Sequence, residues 1–428
     1  MFALTDKTPE TLLTAESVRG RLPRLLYLAD TPVEASAHGS ILLYRLLQDY
    51  PPKKLRVVET NLQQSQPQRR LPGVVYRSIP LGWERLLHSR FNRFWSPWLS
   101  CVARFKVRAT ENVIRDFDAE AVLTVHFGCA WVTAARLAER RKLPLHLILH
   151  DDWNQMGRFP QILRPWLDRQ FQQTYMQASS RLCVSPYMQE SYRERYGMPG
   201  TVLYPSRARD CARYDRPPER LGKPPERFTV AYGGNIFSRG GWDALRETAE
   251  ALLLLGGRLV IFSPNNREQA AHYGLTSPNI ECRGFVKSAE MIQRLREEAD
   301  VVLIPETFED ANRANMTVHF PSKLADSTVP GVPLLVYGPP WSAAVRWAQA
   351  NPGVAEVVTR QDVGKLAAAL ERLRVPSHRL ALGKAALQKG NEFFSHAAAE
   401  RVFLEAVTLW ETPPPGNKDL GLNGEVIT

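Results

Sequence analysis

Thirteen short runs of β-branched and aliphatic residues punctuate this chain, and stretches with helical spacing fill most of the gaps between them. Seven fall in the first half: 24–30, 54–60, 73–80, 121–128, 145–152, 181–186 and 201–206. Six follow later: 228–234, 258–264, 279–286, 300–306, 333–338 and 354–359. Amphipathic spacing over 41–50, 132–142, 242–255 and 289–299 predicts helices between them. Strand–helix alternation on this scale is the pattern of parallel α/β layers, and near-continuous apolar strands belong to sheets covered on both faces. The alternation breaks once, at RARDCARYDRPPERLGKPPER (207–227), which holds four prolines and no apolar periodicity. The expected organisation is therefore an N-terminal α/β domain (1–207), a linker (208–226) and a second α/β domain (227–395). A helix over 396–412 is expected to return towards the first domain, and the Pro/Gly-rich 413–428 to be a disordered tail. Two such units leave a cleft between the carboxyl ends of their strands, where open α/β sheets bind ligands.

With 428 residues the chain is long enough for two cores. No window approaches the roughly 18 consecutive apolar residues of a membrane span, and MFALTDKTPETLLTAESVRG lacks the basic start and apolar stretch of a signal peptide. Cys101, Cys129, Cys183, Cys211 and Cys282 form no CxxC pair and suit a reducing compartment, so a cytoplasmic protein is expected. A formal charge of +11 points to an anionic partner.

The stretch HFPSKLADSTVPGVPLLVYGPP (319–340) places a Pro-Ser-Lys and a carboxylate directly before a buried strand. Read as a loop-to-helix junction, it offers unpaired backbone N–H groups to a phosphate, with Asp326 one turn on at reach for a diol. An ordinary capped helix between strands would carry the same residues. The last six-residue strand approach, PLLVYG, follows a Pro/Gly turn.

FPSKLADSTVPGVPLLVYG resembles the FPSKLxEYxAxGxPV segment of retaining glycosyltransferases of the GT-B fold, family 4. FTVAYGGNIFSRGGWDALRETAEAL is similar to the start of that family's second domain, and IECRGFVKSAEMIQRLREEADVVLIPE to its GxVxxxxLxxxYxxADVxVxPS stretch. SSRLCVSPYMQESYRERYG and FFSHAAAERVFLEAV resemble the segments that close the two domains, so the likeness covers most of 120–407. It implies two Rossmann-like parallel α/β domains facing across a cleft. It also implies a nucleotide-diphosphate sugar as donor, retention of anomeric configuration, no cofactor and no required metal. By the same resemblance Asp326 binds the nucleotide ribose, while Ser322, Lys323 and the backbone of Leu324 meet the donor phosphates. Arg239 stabilises the leaving diphosphate; Gly284, Phe285 and Val286 lie along the base; Gly233 and Gly234 admit close backbone approach.

In the first domain the resemblance brings His126 to the transferred sugar, with a satisfied core histidine as the other reading. His150, Asp151, Asp152 and Trp153 end the next strand at the cleft. One of the two aspartates could act as base on the acceptor, and spacing does not choose between them. His38, Gly39 and Ser40 precede a helix on the acceptor side. Many relatives carry a sugar-binding glutamate where this chain has Val318.

Residues 85–108, RLLHSRFNRFWSPWLSCVARFKVR, hold six Arg/Lys, five Phe/Trp and no acid. Such a segment suits an anionic membrane surface, with Arg90, Arg93, Trp95 and Trp98 as contacts, or a helix pair packing its aromatics inward. No nucleic-acid motif accompanies it. The resulting expectation is a cytoplasmic glycosyltransferase, peripheral at the inner membrane face, acting on a glycan or lipid-linked acceptor in polysaccharide biosynthesis. The alternatives are an inactive GT-B scaffold in an assembly and a nucleotide-sugar epimerase.

Overall fold

Each of the thirteen apolar runs forms a strand, and each strand is shorter than the run that announced it. In this computed structural model, which describes residues 22–36, 39–60, 63–80, 98, 101–152, 161–236 and 238–408, the first sheet has seven parallel strands. They are β1 (Leu25–Ala29), β2 (Leu55–Thr60), β3 (Val75–Ile79), β4 (Ala121–Val125), β5 (Leu145–Leu149), β6 (Ser180–Cys183) and β7 (Thr201–Val202). Their order is β3-β2-β1-β4-β5-β6-β7. The second sheet holds β8 (Thr229–Gly233), β9 (Arg258–Phe262), β10 (Ile280–Cys282), β11 (Val301–Pro305), β12 (Leu334–Tyr337) and β13 (Ala355–Val358), ordered β10-β9-β8-β11-β12-β13. In both sheets the chain reverses its direction of growth beside the first strand, between β1 and β4 and between β8 and β11. Those switch points are where such sheets open to ligands.

The excess residues of the sequence runs sit mostly at the carboxyl ends. β4 stops at Val125, β5 at Leu149 and β11 at Pro305, leaving His126, His150–Asp152 and Glu306 in the loops beyond. The turn after β4 shows how tightly one such loop is built. Asp30 receives the N–H groups of Cys129 (2.5 Å) and Ala130 (2.8 Å) and the Thr60 hydroxyl (2.6 Å), so it caps the helix Ala130–Arg141 from outside. Gly128 has a φ of +66°, and a Cβ there would stand 2.1 Å from the Asp30 carboxylate, so only glycine fits.

The linker, and Arg207 just before it, are pinned rather than loose. Arg207 donates to the Thr328 hydroxyl (2.7 Å), the Ala325 carbonyl (3.2 Å) and the Asn391 side-chain oxygen (2.5 Å). Leu221 is fully buried, and Arg379 donates to the Leu221 carbonyl at 3.1 Å. The last helix, His396–Thr408, buries Ala399, Phe403 and Val407 in the first domain's core with Leu43, Leu47, Tyr50 and Leu182. Among the described residues no helix is long and apolar enough to cross a membrane, and the five cysteines are unpaired. Arg90, Arg93 and Trp95 lie outside the described residues; Trp98 is 47% exposed.

Candidate active site between the domains

The loop after β5 meets the segment between β11 and β12 across the cleft. Asp151 accepts from His319 Nδ1 at 2.8 Å, and Asn315 links the same loop by receiving the Asp152 N–H at 3.0 Å. Burial works to raise the Asp151 carboxyl, but the charge and hydrogen bond of His319 outweigh it and hold the group down at about 2. For His319 burial opposes protonation, yet pairing with Asp151 and the nearby Glu306 charge raise its pKa. Asp151 is thus a weak base and an effective orienting partner for His319.

The structure separates the two aspartates that spacing alone left equivalent. Asp152 is 2% exposed and bonded to Arg195 at 2.6 Å, a pair that ties its loop to the helix Pro186–Tyr196. Its burial raises the carboxyl even against the Arg195 charge. Asp151 alone faces the cleft. His150 is pushed down to about 4, burial being the main cause, and stays neutral at physiological pH.

His126 packs as a core histidine and also borders the acceptor-side cavity. Its side chain is 1% exposed, stacked on Phe171 at 3.7 Å between ring centroids and edge-on to Trp131 at 5.2 Å. The aromatic cluster continues through Tyr175, Tyr192 and Tyr196, which supplies the packing that draws the imidazole inward. Gly39, Ser40, His126, His150 and Asp151 converge around a cavity of about 540 Å³ that Thr31 and Glu34 also line. His38 and Trp153 lie outside the described residues.

On the other side of the cleft, Lys323 is the centre of charge. Its ammonium donates to the Asn235 carbonyl at 2.7 Å and to the Tyr232 hydroxyl, and it lies 4.7 Å from the centroid of the Tyr232 ring. Two of its three donors are used, leaving one. Burial brings its pKa down to about 8, partly offset by Glu306. Gly234, with φ +137°, makes room for this lysine: a Cβ there would sit 2.6 Å from Lys323 Cε. Gly233 has a different reason, since a Cβ would meet Met291 Sδ at 2.7 Å, so it serves the packing of the helix Ser288–Glu298.

The Pro-Ser-Lys helix itself runs only from Ser322 to Ser327, and its N-cap Pro321 supplies no side-chain cap. So short a helix adds little dipole, and the Leu324 N–H expected at the phosphate already donates to the Pro321 carbonyl at 3.0 Å. Leu324 is otherwise core. Positive charge here comes from side chains. Arg239 is exposed at the first turn of the helix Arg239–Leu254, whose start is capped by the Ser238 hydroxyl accepting from the Gly241 N–H at 3.1 Å.

Asp326 is not an open carboxylate. Arg45, from the helix Gly39–Leu47, grips both its oxygens at 3.2 Å and also donates to the Ser206 carbonyl at 2.7 Å. Each carboxylate oxygen still has a second lone pair. Asp326 and Arg45 line a cavity of about 1230 Å³ with Ser288, Ala289 and Ile292. Gly284 adopts φ +73°, Phe285 is 71% exposed beside this region in sequence, and Val286 packs against the core. Val318 is buried, its carbonyl accepting from the Ser185 hydroxyl at 2.7 Å.

Sequence reasoning passed over Arg45, Tyr232, Glu306, Asn315 and His319. The rule that singled out His150–Asp152, polar residues at the carboxyl end of a strand, applies equally to Glu306 after VVLIP and would have found it. One three-ligand group among the described residues could hold a metal, Asp49, His396 and Glu400 at the C-terminal helix. There Arg209 (2.5 Å) and His396 (2.7 Å) already engage Asp49, the pattern of an ion-pair network.

Residues 56–206 match the family model described as Glycosyltransferase Family 4, about a third of the chain. No curated protein matches the sequence. Solved structures similar to the whole chain include Anabaena HepE in complex with UDP and glucose, with 13% identity and TM-score 0.61, covering 90% of this chain and 99% of that one. Sucrose-phosphate synthase from Thermosynechococcus elongatus is similar at 14% identity and TM-score 0.59, covering 89% and 97%. A trehalose-6-phosphate protein from E. coli, bound with UDP-2-fluoro glucose, has 10% identity and TM-score 0.62, covering 90% and 99%. At such identities the likeness establishes the architecture, two parallel α/β domains of the GT-B fold.

Proposed function

We propose that this chain is a glycosyltransferase that moves a hexosyl group from a nucleoside-diphosphate sugar to an acceptor hydroxyl in the interdomain cleft. The observation that carries the reading is Lys323: a largely buried ammonium with one unused donor, held beside Gly234 at the carboxyl edge of β8. A cation kept there at the expense of desolvation has use for an anion, and a diphosphate supplies it. The match of the first domain to a glycosyltransferase family model, and the UDP, glucose and UDP-2-fluoro glucose bound in similar structures, support the same substrate class.

In this reaction the bond from the anomeric carbon to the phosphate oxygen breaks and one to the acceptor oxygen forms. The acceptor proton passes to the leaving phosphate, and Lys323 and Arg239 stabilise the negative charge that develops there. Asp326 is assigned to the ribose, sharing its carboxylate with Arg45. The cavity at Gly39, Ser40, His150 and Asp151 is assigned to the acceptor, a glycan or lipid-linked saccharide, and the product retains the donor's configuration. Since two side chains supply the positive charge, activity is expected to survive EDTA.

Calorimetric titration with UDP, GDP and ADP tests the donor site. Binding of one with micromolar-to-millimolar affinity is expected, and binding of none would refute the assignment. NMR of the product's anomeric proton then reads the stereochemical outcome.

A further inference from the structure

Glu306 follows β11 at the cleft and is 4% exposed. Among the described residues its carboxylate receives no hydrogen bond and forms no ion pair; only its backbone N–H is engaged, by the Tyr337 carbonyl at 2.8 Å. The side chain is also held in place from behind, because a Cβ on Gly338 would stand 2.4 Å from Glu306 Cβ. A largely buried acid whose oxygens meet no protein donor and only the edge of the cleft is poorly solvated and open to a ligand that donates to it.

The surroundings select what could satisfy it. Lys323 and His319 are near enough for their charges to act on Glu306. That cationic company repels a metal ion, and the acid itself repels a phosphate. What remains is a neutral ligand rich in O–H donors, placed beside the diphosphate that Lys323 is assigned to hold. Burial, offset in part by His319 and Lys323, brings the Glu306 carboxyl up to about 7, so it changes charge close to neutrality while it waits for such a partner.

We propose that Glu306 is a specificity-determining residue that receives the hydroxyl groups of the transferred sugar. This rests on the glycosyltransferase reading above, and it assigns to one residue the discrimination between a bare nucleoside diphosphate and its glycosylated form. An acid that accepts sugar hydroxyls contributes nothing to the nucleotide half of the donor, so the two halves can be measured apart.

The experiment titrates wild type and Glu306→Gln with UDP, GDP and ADP and with UDP-glucose, GDP-mannose and ADP-glucose. Glutamine keeps the shape and loses the charge. The expected result is that the variant's affinity for the bare diphosphate stays within about threefold, while its affinity for the matching sugar nucleotide falls about 10–100-fold. Should the glutamine variant fail to fold, Glu306→Asp, which shortens the reach by one methylene, is read the same way. An equal loss on both ligands would overturn the inference, because it would make Glu306 a counter-charge for Lys323. So would an unchanged ratio of the two affinities, or a wild-type chain that binds a diphosphate and none of the three sugar nucleotides. Failure of the wild type to bind any bare diphosphate is a different result: it refutes the donor site itself, and this inference with it.

Discussion

Replacing Lys323 by methionine separates stability from ligand binding. Burial lowers the amine from 10.5 to about 8, with Glu306 offsetting part of the effect. That drop corresponds to about 3 kcal/mol in favour of the neutral amine. Because the folded pKa lies below the unfolded one, the folded state binds this proton less readily. The cost is complete below pH 8 and disappears as the pH rises towards 10.5. Methionine removes it, while giving up the ammonium's hydrogen bonds to the Asn235 carbonyl and the Tyr232 hydroxyl, about 1.5 kcal/mol each. The two effects cancel, so the variant should match the stability of wild type at pH 7 to within about 1 kcal/mol, a change in Tm of at most about 2 °C. Its affinity for UDP should fall about 10–100-fold, the value of a lost charge-assisted hydrogen bond. Calorimetric titration and thermal unfolding of the same preparations read both numbers. A bound diphosphate raises the lysine's pKa, so binding to wild type should weaken as pH climbs through about 8, and the variant's binding should be flat there. A variant that binds UDP like wild type, or one destabilised by about 3 kcal/mol, would refute the reasoning.

Asp326→Ala should weaken nucleotide binding about 10–100-fold, whereas Arg45→Ala, which removes only its protein partner, should change it less than about threefold; titration of both variants checks this. Asp151 contributes stability because its folded pKa, about 2, lies below the usual 3.8. The contribution, about 2 kcal/mol at most, is present above pH 3.8 and lost as pH falls through about 2, so the gap in urea midpoint between wild type and Asp151→Asn should be full at pH 6 and reduced, not abolished, at pH 3. His126→Ala should lower stability by about 2–4 kcal/mol through loss of its stacking on Phe171, with any loss of activity tracking the unfolded fraction in a denaturant series. Neutralising Arg90 and Arg93 and removing Trp95 and Trp98 should reduce co-sedimentation with vesicles containing anionic lipid severalfold, measured at about 0.1 M salt.

The strands were legible because burial on both faces writes itself into sequence as an apolar run; LHLILHDD announced β5 and its polar end together. Gly234 and Lys323 could each be singled out, but that the glycine exists to admit the lysine is a contact between segments about ninety residues apart. Partners of that kind are invisible to local pattern. Asp326 shows the same limit, since Arg45 reaches it from the other domain, and so does His126, whose aromatic neighbours come from three helices. Asp151 and Asp152 differ only through their partners, His319 for the first and Arg195 for the second, and both come from distant segments. Glu306 was readable in principle, standing at the end of VVLIP, but its lack of a partner is a property of the folded chain alone.

The central claim is that a diphosphate sits against Lys323, between Gly234 and the exposed Arg239. A crystal structure of the chain with UDP bound tests it most directly. The account predicts phosphate oxygens within hydrogen-bond distance of Lys323 Nζ and Arg239, with the ribose at Asp326. A nucleotide bound elsewhere, with Lys323 still turned to Tyr232 and Asn235 alone, would contradict it.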